Sequence, residues 1–105
     1  MLYILDYNEA LVFKSTDHVI LGRNAPGGHA TPGDLTRYGG YSMGVSRQHA
    51  EICCTEQGYT IQDLGSANGT WINEKRLPPR HPAPLKHGDM LWLGQLIVMI
   101  YLSKD

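Results

Sequence analysis

The sequence carries almost no charge imbalance. Nine Lys and Arg stand against ten Asp and Glu, for a net charge of −1. No general attraction to nucleic acid or to an acidic membrane surface follows from that balance. Cysteine is scarce, and the two present, Cys53 and Cys54, are neighbours. In a strand, adjacent side chains point to opposite faces, so this pair can neither share a metal nor bridge without strain. No C-x-x-C spacing is present to stabilise a thiolate, so both read as reduced thiols, with Cys54 on the core parity of Ile52. Long apolar runs are missing too. The longest, residues 96–102, falls far short of the roughly 20 residues that a spanning helix needs. Met1-Leu2-Tyr3-Ile4-Leu5-Asp6 reaches an acid too soon for a secretory leader. No segment sustains a 3.6-residue period, and there is neither an internal repeat nor a low-complexity tail. His18, His29, His81 and His87 fall on separate loops or turns without chelating spacing, so neither a metal nor another cofactor is expected.

What is present is the patterning of a β protein. The 105 residues, 42% of them hydrophobic, predict one soluble, cytoplasmic domain over 1–105 with one modest core. Short strand-like runs occupy 2–6, 10–14, 18–21, 59–62, 71–73, 90–93 and 95–102. Between them lie turn compositions: Tyr7-Asn8-Glu9, Ser15-Thr16-Asp17, Glu56-Gln57-Gly58, Glu74-Lys75 and Lys86-His87-Gly88-Asp89. Residues 24–44, with Pro26-Gly27-Gly28 and Thr31-Pro32-Gly33, can be neither a helix nor a central strand. Leu35 and Tyr38 are the expected anchors of this long loop, and Asp34 suits a local Asx turn. Residues 77–84 hold four prolines and read as another loop. Short strands at turn-separated spacing predict an antiparallel sandwich or barrel.

One stretch stands apart. Val45-Ser46-Arg47-Gln48-His49 is a polar, cationic loop, and from Ala50 the chain alternates as a half-buried strand. A hydroxyl and a guanidinium are thus held where a loop enters a rigid sheet. Arg23, after Gly22, ends the preceding strand, so its planar fork can be fixed in place. Asp63, on the parity of Ile61, opens a dense turn, Asp63-Leu64-Gly65-Ser66-Ala67-Asn68-Gly69-Thr70, in which Asn-Gly tolerates positive φ. Asn68 offers an amide donor and a carbonyl acceptor, which suits an extended peptide backbone. Cations, a hydroxyl and an amide together suit an anionic ligand with several acceptor oxygens.

Gly22-Arg23, Ser46-Arg47-Gln48-His49, Asp63-Leu64-Gly65-Ser66-x-Asn68-Gly69-Thr70-x-x-Asn73 and Leu85-x-x-Gly88-Asp89, in that order, resemble the forkhead-associated (FHA) domain. The resemblance runs from about the first strand to the last. It implies an FHA-like antiparallel β-sandwich of about eleven strands with binding loops at one end. It also implies a non-catalytic module that recognises phosphothreonine on a Ser/Thr kinase, on a kinase substrate or on the parent chain. Arg23 and Ser46 would contact the phosphate, Asn68 the peptide main chain, and Arg47 would be a variable contact. Gly22, His49, Asp63, Gly69, Thr70 and Asn73 would support the loops, His49 by hydrogen bonding. Position 67 is Ala, where members of the family often carry a hydroxyl or basic residue, so one ligand bond is missing. The long loop before Ser46 could bring Arg37 or Tyr41 to the ligand, or stand clear of it. The alternative is a phosphate-independent interaction or oligomerisation domain on the same sandwich. A hydrolase built on Ser46 and His49 lacks an identifiable third group and oxyanion site. Trp71 and Trp92 read as core or rim packing rather than a peptide clamp.

Overall fold

The alternation that starts at Ala50 becomes a hairpin, and two sheets grow around it. The computed structural model describes residues 2–12, 18–23, 33–56 and 58–102. The expected turn at Ser15-Thr16-Asp17, residues 24–32 of the long loop with His29, and Gln57 lie outside them. Ten strands form among the described residues: β1 (Leu2–Ile4), β2 (Glu9–Leu11), β3 (Val19–Leu21), β4 (Ala50–Thr55), β5 (Gly58–Asp63), β6 (Thr70–Ile72), β7 (Lys75–Arg76), β8 (Ala83–Leu85), β9 (Met90–Leu93) and β10 (Leu96–Ile100). One sheet has the order β3-β4-β5-β8, the other β2-β1-β10-β9-β6-β7. All strand pairs are antiparallel.

The two-residue period decides which side chains meet between the sheets. Val19, Leu21, Ala50, Ile52, Ile61 and Leu85 face inward from one sheet. Leu2, Ile4, Leu91, Leu93, Leu96, Val98 and Ile100 face them from the other, and all of these are buried. Of the sandwich or barrel that turn-separated strands predict, this is the antiparallel sandwich, as the FHA resemblance implies.

Several local expectations change. The first strand stops at Ile4, and Leu5–Tyr7 closes as a 3-10 turn ended by Asn8 in the left-handed region at φ 51°. Asn73 and Glu74 make the turn after β6, both at positive φ, so Lys75 belongs to β7. Pro84 lies within β8, inside the stretch read as loop. β8 is an edge strand, where a missing backbone N–H costs no ladder bond. Cys54 has the core parity but is exposed, because β4 outruns the core at its far end. Trp71 and Trp92 are cross-strand partners on the outer face of the larger sheet, Trp92 exposed.

The later half of the long loop, from Gly33 to Gly44, is tied to the sandwich. Leu35 and Tyr38 are buried anchors. Asp34 Oδ1 accepts the Thr36 N–H at 3.0 Å, as the Asx reading predicts. Gly22 receives this segment: its N–H donates to the Gly33 carbonyl at 3.1 Å and its carbonyl accepts from Leu35 N–H at 2.7 Å. On its other side the Arg47 carbonyl oxygen would lie 2.0 Å from any Cβ added at Gly22. A methyl group there must push neighbouring backbone away from the strand end. Gly22→Ala is therefore expected to lower stability by about 1–3 kcal/mol, read as a lower urea midpoint at unchanged m.

Candidate functional site

Register alone gathers the loops. Leu21 pairs with Ala50 and Ala50 with Asp63, so β3 ends, β4 begins and β5 ends at the same rim. Thr70 pairs with Leu93, and the Gly94 N–H donates to the Gly69 carbonyl at 3.0 Å, which brings the β9–β10 turn to that rim as well.

His49 is the buried brace between these loops, at 0% exposure. Its Nδ1 accepts the Ser46 N–H at 3.0 Å. That fixes the neutral tautomer with the proton on Nε2, which donates to the Gly69 carbonyl at 2.7 Å. Burial pushes its pKa below the ordinary 6.5, against the opposing pull of the Gly69 carbonyl and the Asp63 charge. Both ring nitrogens are committed to backbone, so His49 holds no lone pair for the Ser46 hydroxyl. A nucleophile–base pair needs that contact, and the Ser46–His49 hydrolase geometry is absent.

Asp63 organises the third loop. Its Oδ2 accepts from the N–H groups of Gly65 and Ser66, each at 3.0 Å. Its Oδ1 accepts from Ser66 Oγ at 2.5 Å and from buried Thr70 Oγ1 at 2.7 Å. Burial pushes this carboxyl up, but the bonds from Ser66, Thr70 and Gly65 outweigh it and hold the pKa below 3.8. Ser66 Oγ then accepts the Gly69 N–H at 2.9 Å. Gly69 sits at φ 90°, with the Trp71 ring and Arg76 Nε about 3 Å from where a Cβ would stand, so the turn needs glycine there.

The proposed contact residues converge on this frame. Arg23 is half-buried; its Nε donates to the Val45 carbonyl at 2.5 Å, and its N–H to the Ser46 carbonyl at 3.1 Å. Tyr41 lies over the guanidinium, 4.9 Å from Cζ to the ring centroid. Held at Nε and across its face, the fork has no hydrogen-bond partner at its two outer nitrogens among the described residues. Ser46 Oγ accepts the Ala67 N–H at 3.0 Å, leaving its own proton to donate. Position 67 thus contributes through its backbone despite lacking a polar side chain. Asn68 is exposed and donates through Nδ2 to the Gly44 carbonyl at 2.9 Å. Arg47 is exposed beside Ser46.

Two expected roles land elsewhere. Asn73 sits at the opposite end of β6, where its amide bonds Asp89 Oδ1 at 2.9 Å and the Met90 N–H at 3.0 Å. Three residues of strand separate it from the binding rim, so it supports the far turn and not the loops. Arg37 pairs with Glu9 at 3.6 Å, so of the two loop candidates it is Tyr41 that reaches Arg23. Sequence pattern also gave no sign of a cleft of about 340 Å³ lined by Ser42, Met43, Gly44, Asn68, Gly94 and Gln95. The Gln95 N–H donates to the Met43 carbonyl at 2.8 Å and closes its floor. Only Gly44 and Gly94 could have hinted at that approach, and each also reads as an ordinary turn residue.

His49 and Asp63 both bind a proton less tightly folded than unfolded. Their contributions are complete above the unfolded values, near 6.5 and 3.8 respectively, and are lost as pH falls through the lowered folded ones. Urea midpoints are therefore expected to fall in two stages, below about pH 6.5 and more steeply below about pH 4. His49→Gln is expected to remove the upper stage, and Asp63→Ala to cost at least about 3 kcal/mol at pH 7. An upper stage that persists in His49→Gln would place the titration on another group.

Comparison with known proteins places this arrangement. The FHA domain family model matches residues 19–94. The chain is 39% identical over 66 residues to a probable E3 ubiquitin-protein ligase, dma1, of Schizosaccharomyces pombe, covering 59% of this chain and 25% of that protein. It is 38% identical over 65 residues to the chloroplastic zeaxanthin epoxidase of Spinacia oleracea, covering 57% of this chain and 10% of that one. The chain thus spans a quarter or less of the length of these relatives. Among solved structures, it resembles the FHA domain of an Arabidopsis thaliana hypothetical protein at TM-score 0.76 and 27% identity, covering 99% of this chain and 85% of that one. It also resembles an FHA domain solved in a study of phosphothreonine-dependent FHA interactions, at TM-score 0.72 and 26% identity, covering 99% and 96%. The family match takes in β3 to β9 and the loops that carry Arg23, Ser46 and Asn68, and on that extent the chain belongs to the FHA domain family.

Proposed function

We propose that this chain is a non-catalytic cytoplasmic module, a single unit over 1–105, that binds phosphothreonine in an extended peptide at the rim built by His49 and Asp63. The observation that carries the reading is Arg23, clamped at Nε by Val45 and stacked on Tyr41, with its backbone N–H on the Ser46 carbonyl. A phosphate of about −1.5 to −2 charge needs a fixed planar cation and neutral donors around it. Arg23 and Ser46 supply these, with Arg47 adjacent as a second cation. Asn68 retains its carbonyl and one amide proton for the peptide main chain beside the cleft. The relative studied for phosphothreonine-dependent interactions supports this choice of ligand.

The expected affinity is micromolar, about 8 kcal/mol. That strength suits reversible Ser/Thr-kinase signalling, with the phosphothreonine on a kinase, on its substrate or on the parent chain.

Calorimetry against matched phosphorylated and unphosphorylated threonine peptides tests the assignment. The phosphorylated form is expected to bind at least about a hundred-fold more tightly, a difference of about 2.7 kcal/mol. Arg23→Ala is expected to abolish that preference while shifting Tm by less than about 8 °C. Arg23→Lys is expected to restore little, since lysine lacks the fork. Affinity should also fall with added salt and below about pH 6, where the phosphate loses charge. Equal affinity for the two peptides, or binding that survives Arg23→Ala, would favour a phosphate-independent interaction surface instead.

A further inference from the structure

Away from the rim, three side chains meet on the outer face of the smaller sheet. Val19 pairs with Ile52, so His18, one residue earlier, comes across from Cys53. Glu51 and Cys53 share the parity opposite to the buried Ala50 and Ile52. His18 Nδ1 lies 3.5 Å from Cys53 Sγ and 3.7 Å from Glu51 Oε2. All three ligand atoms lie within 4.8 Å of one another. Gln62, the cross-strand partner of Glu51, donates through Nε2 to Glu51 Oε1 at 3.3 Å and leaves Oε2 turned toward His18.

Both short distances run to the same ring nitrogen. A thiol–imidazole–carboxylate relay needs the thiol at one nitrogen and the carboxylate at the other, so these residues do not form a catalytic triad. One nitrogen facing both a sulfur and a carboxylate oxygen instead describes ligand atoms around a shared centre. Zn²⁺ bonds of about 2.0–2.3 Å in a tetrahedron separate nitrogen from sulfur or oxygen by roughly 3.4–3.6 Å. The observed 3.5 and 3.7 Å fall close to that spacing. We propose that His18, Glu51 and Cys53 form a binding site for Zn²⁺ on the outer face of the β3–β4 pair, with water in the fourth position.

The donor set suits this ion. Thiolate and imidazole suit Zn²⁺ and disfavour Mg²⁺ and Ca²⁺, which take oxygen ligands. On binding, the Cys53 S–H bond breaks, its proton passes to solvent and a sulfur–zinc bond forms; no electrons are exchanged. Burial and the Glu51 carboxylate push the free Cys53 thiol up, so without a cation it rests as an inert thiol. Gln62 stands behind Glu51 as a positioning residue. Chelating spacing along the chain could not reveal this cluster. His18 and Cys53 are 35 residues apart and meet only through strand register.

The test uses the whole chain under non-chelating reducing conditions, with Co²⁺ as a spectroscopic stand-in and Zn²⁺ calorimetry alongside. One equivalent of Co²⁺ is expected to give tetrahedral d–d bands and a thiolate-to-metal charge-transfer band. Cys53→Ser is expected to remove the charge-transfer band, while Cys54→Ser leaves it intact. His18→Ala and Glu51→Gln are each expected to weaken Zn²⁺ binding by more than about ten-fold, and Gln62→Ala by about ten-fold. His18, Glu51, Cys53 and Gln62 lie on the outer face, and circular dichroism of each variant checks that the fold persists. The absence of saturable one-to-one binding would overturn the site. So would a Co²⁺ spectrum of purely octahedral form, or a thiolate band that follows Cys54.

Discussion

A neutral imidazole sealed between two loops is the constraint on which the binding rim depends. His49 enters β4 with its N–H on the Leu21 carbonyl and its own carbonyl accepting from Leu64, both at 2.8–2.9 Å. Its ring then joins the Ser46 N–H to the Gly69 carbonyl. One residue thus ties the end of β3, the loop before β4 and both ends of the β5–β6 loop. Only the neutral ring with its proton on Nε2 makes both side-chain bonds, one as acceptor and one as donor. Burial maintains that state by penalising the charged form. Asp63 does the complementary work one strand away. It stays ionised although buried, because four donors from Gly65, Ser66 and Thr70 replace its water.

Preorganisation follows from this frame. Three proposed contact side chains are each fixed by one hydrogen bond and left with further capacity: Arg23 at Nε, Ser46 as acceptor from Ala67, Asn68 through one amide proton. A ligand bound there as proposed would meet donors whose ordering was completed on folding, which lowers the cost of association. The close approaches that achieve this exclude side chains. Gly22 admits the Arg47 carbonyl, Gly94 admits the backbone of Met43 and Gly44, and Gly69 admits Trp71. Glycine at these points is a requirement of packing as much as of turn geometry.

The outer faces of the two sheets differ in kind. The larger sheet presents Trp71 and Trp92 as a cross-strand pair, with Arg76 Cζ 5.2 Å from the Trp71 ring centroid. The smaller sheet presents polar and sulfur ligands at its β3 edge. Both faces are products of the same inward alternation. Whatever the core parity does not take is displayed outside, and cross-strand neighbours then become chemical neighbours.

Local patterning along the chain determined much of this protein. The parity of Ala50, Ile52 and Ile61, the Asx turn at Asp34, the anchoring of Leu35 and Tyr38, and the Asp63-to-Thr70 turn were all legible, because each depends on residues a few positions apart. Tertiary structure decided what depends on register and on where a strand ends. It exposed Cys54 despite its parity, set Pro84 in an edge strand and moved Asn73 to the far end of β6. It also laid Tyr41 on Arg23 and brought His18 to Cys53. Sequence spacing carries the two-residue period of a strand, but which strand lies beside it, and in what register, is set by how two sheets share one core.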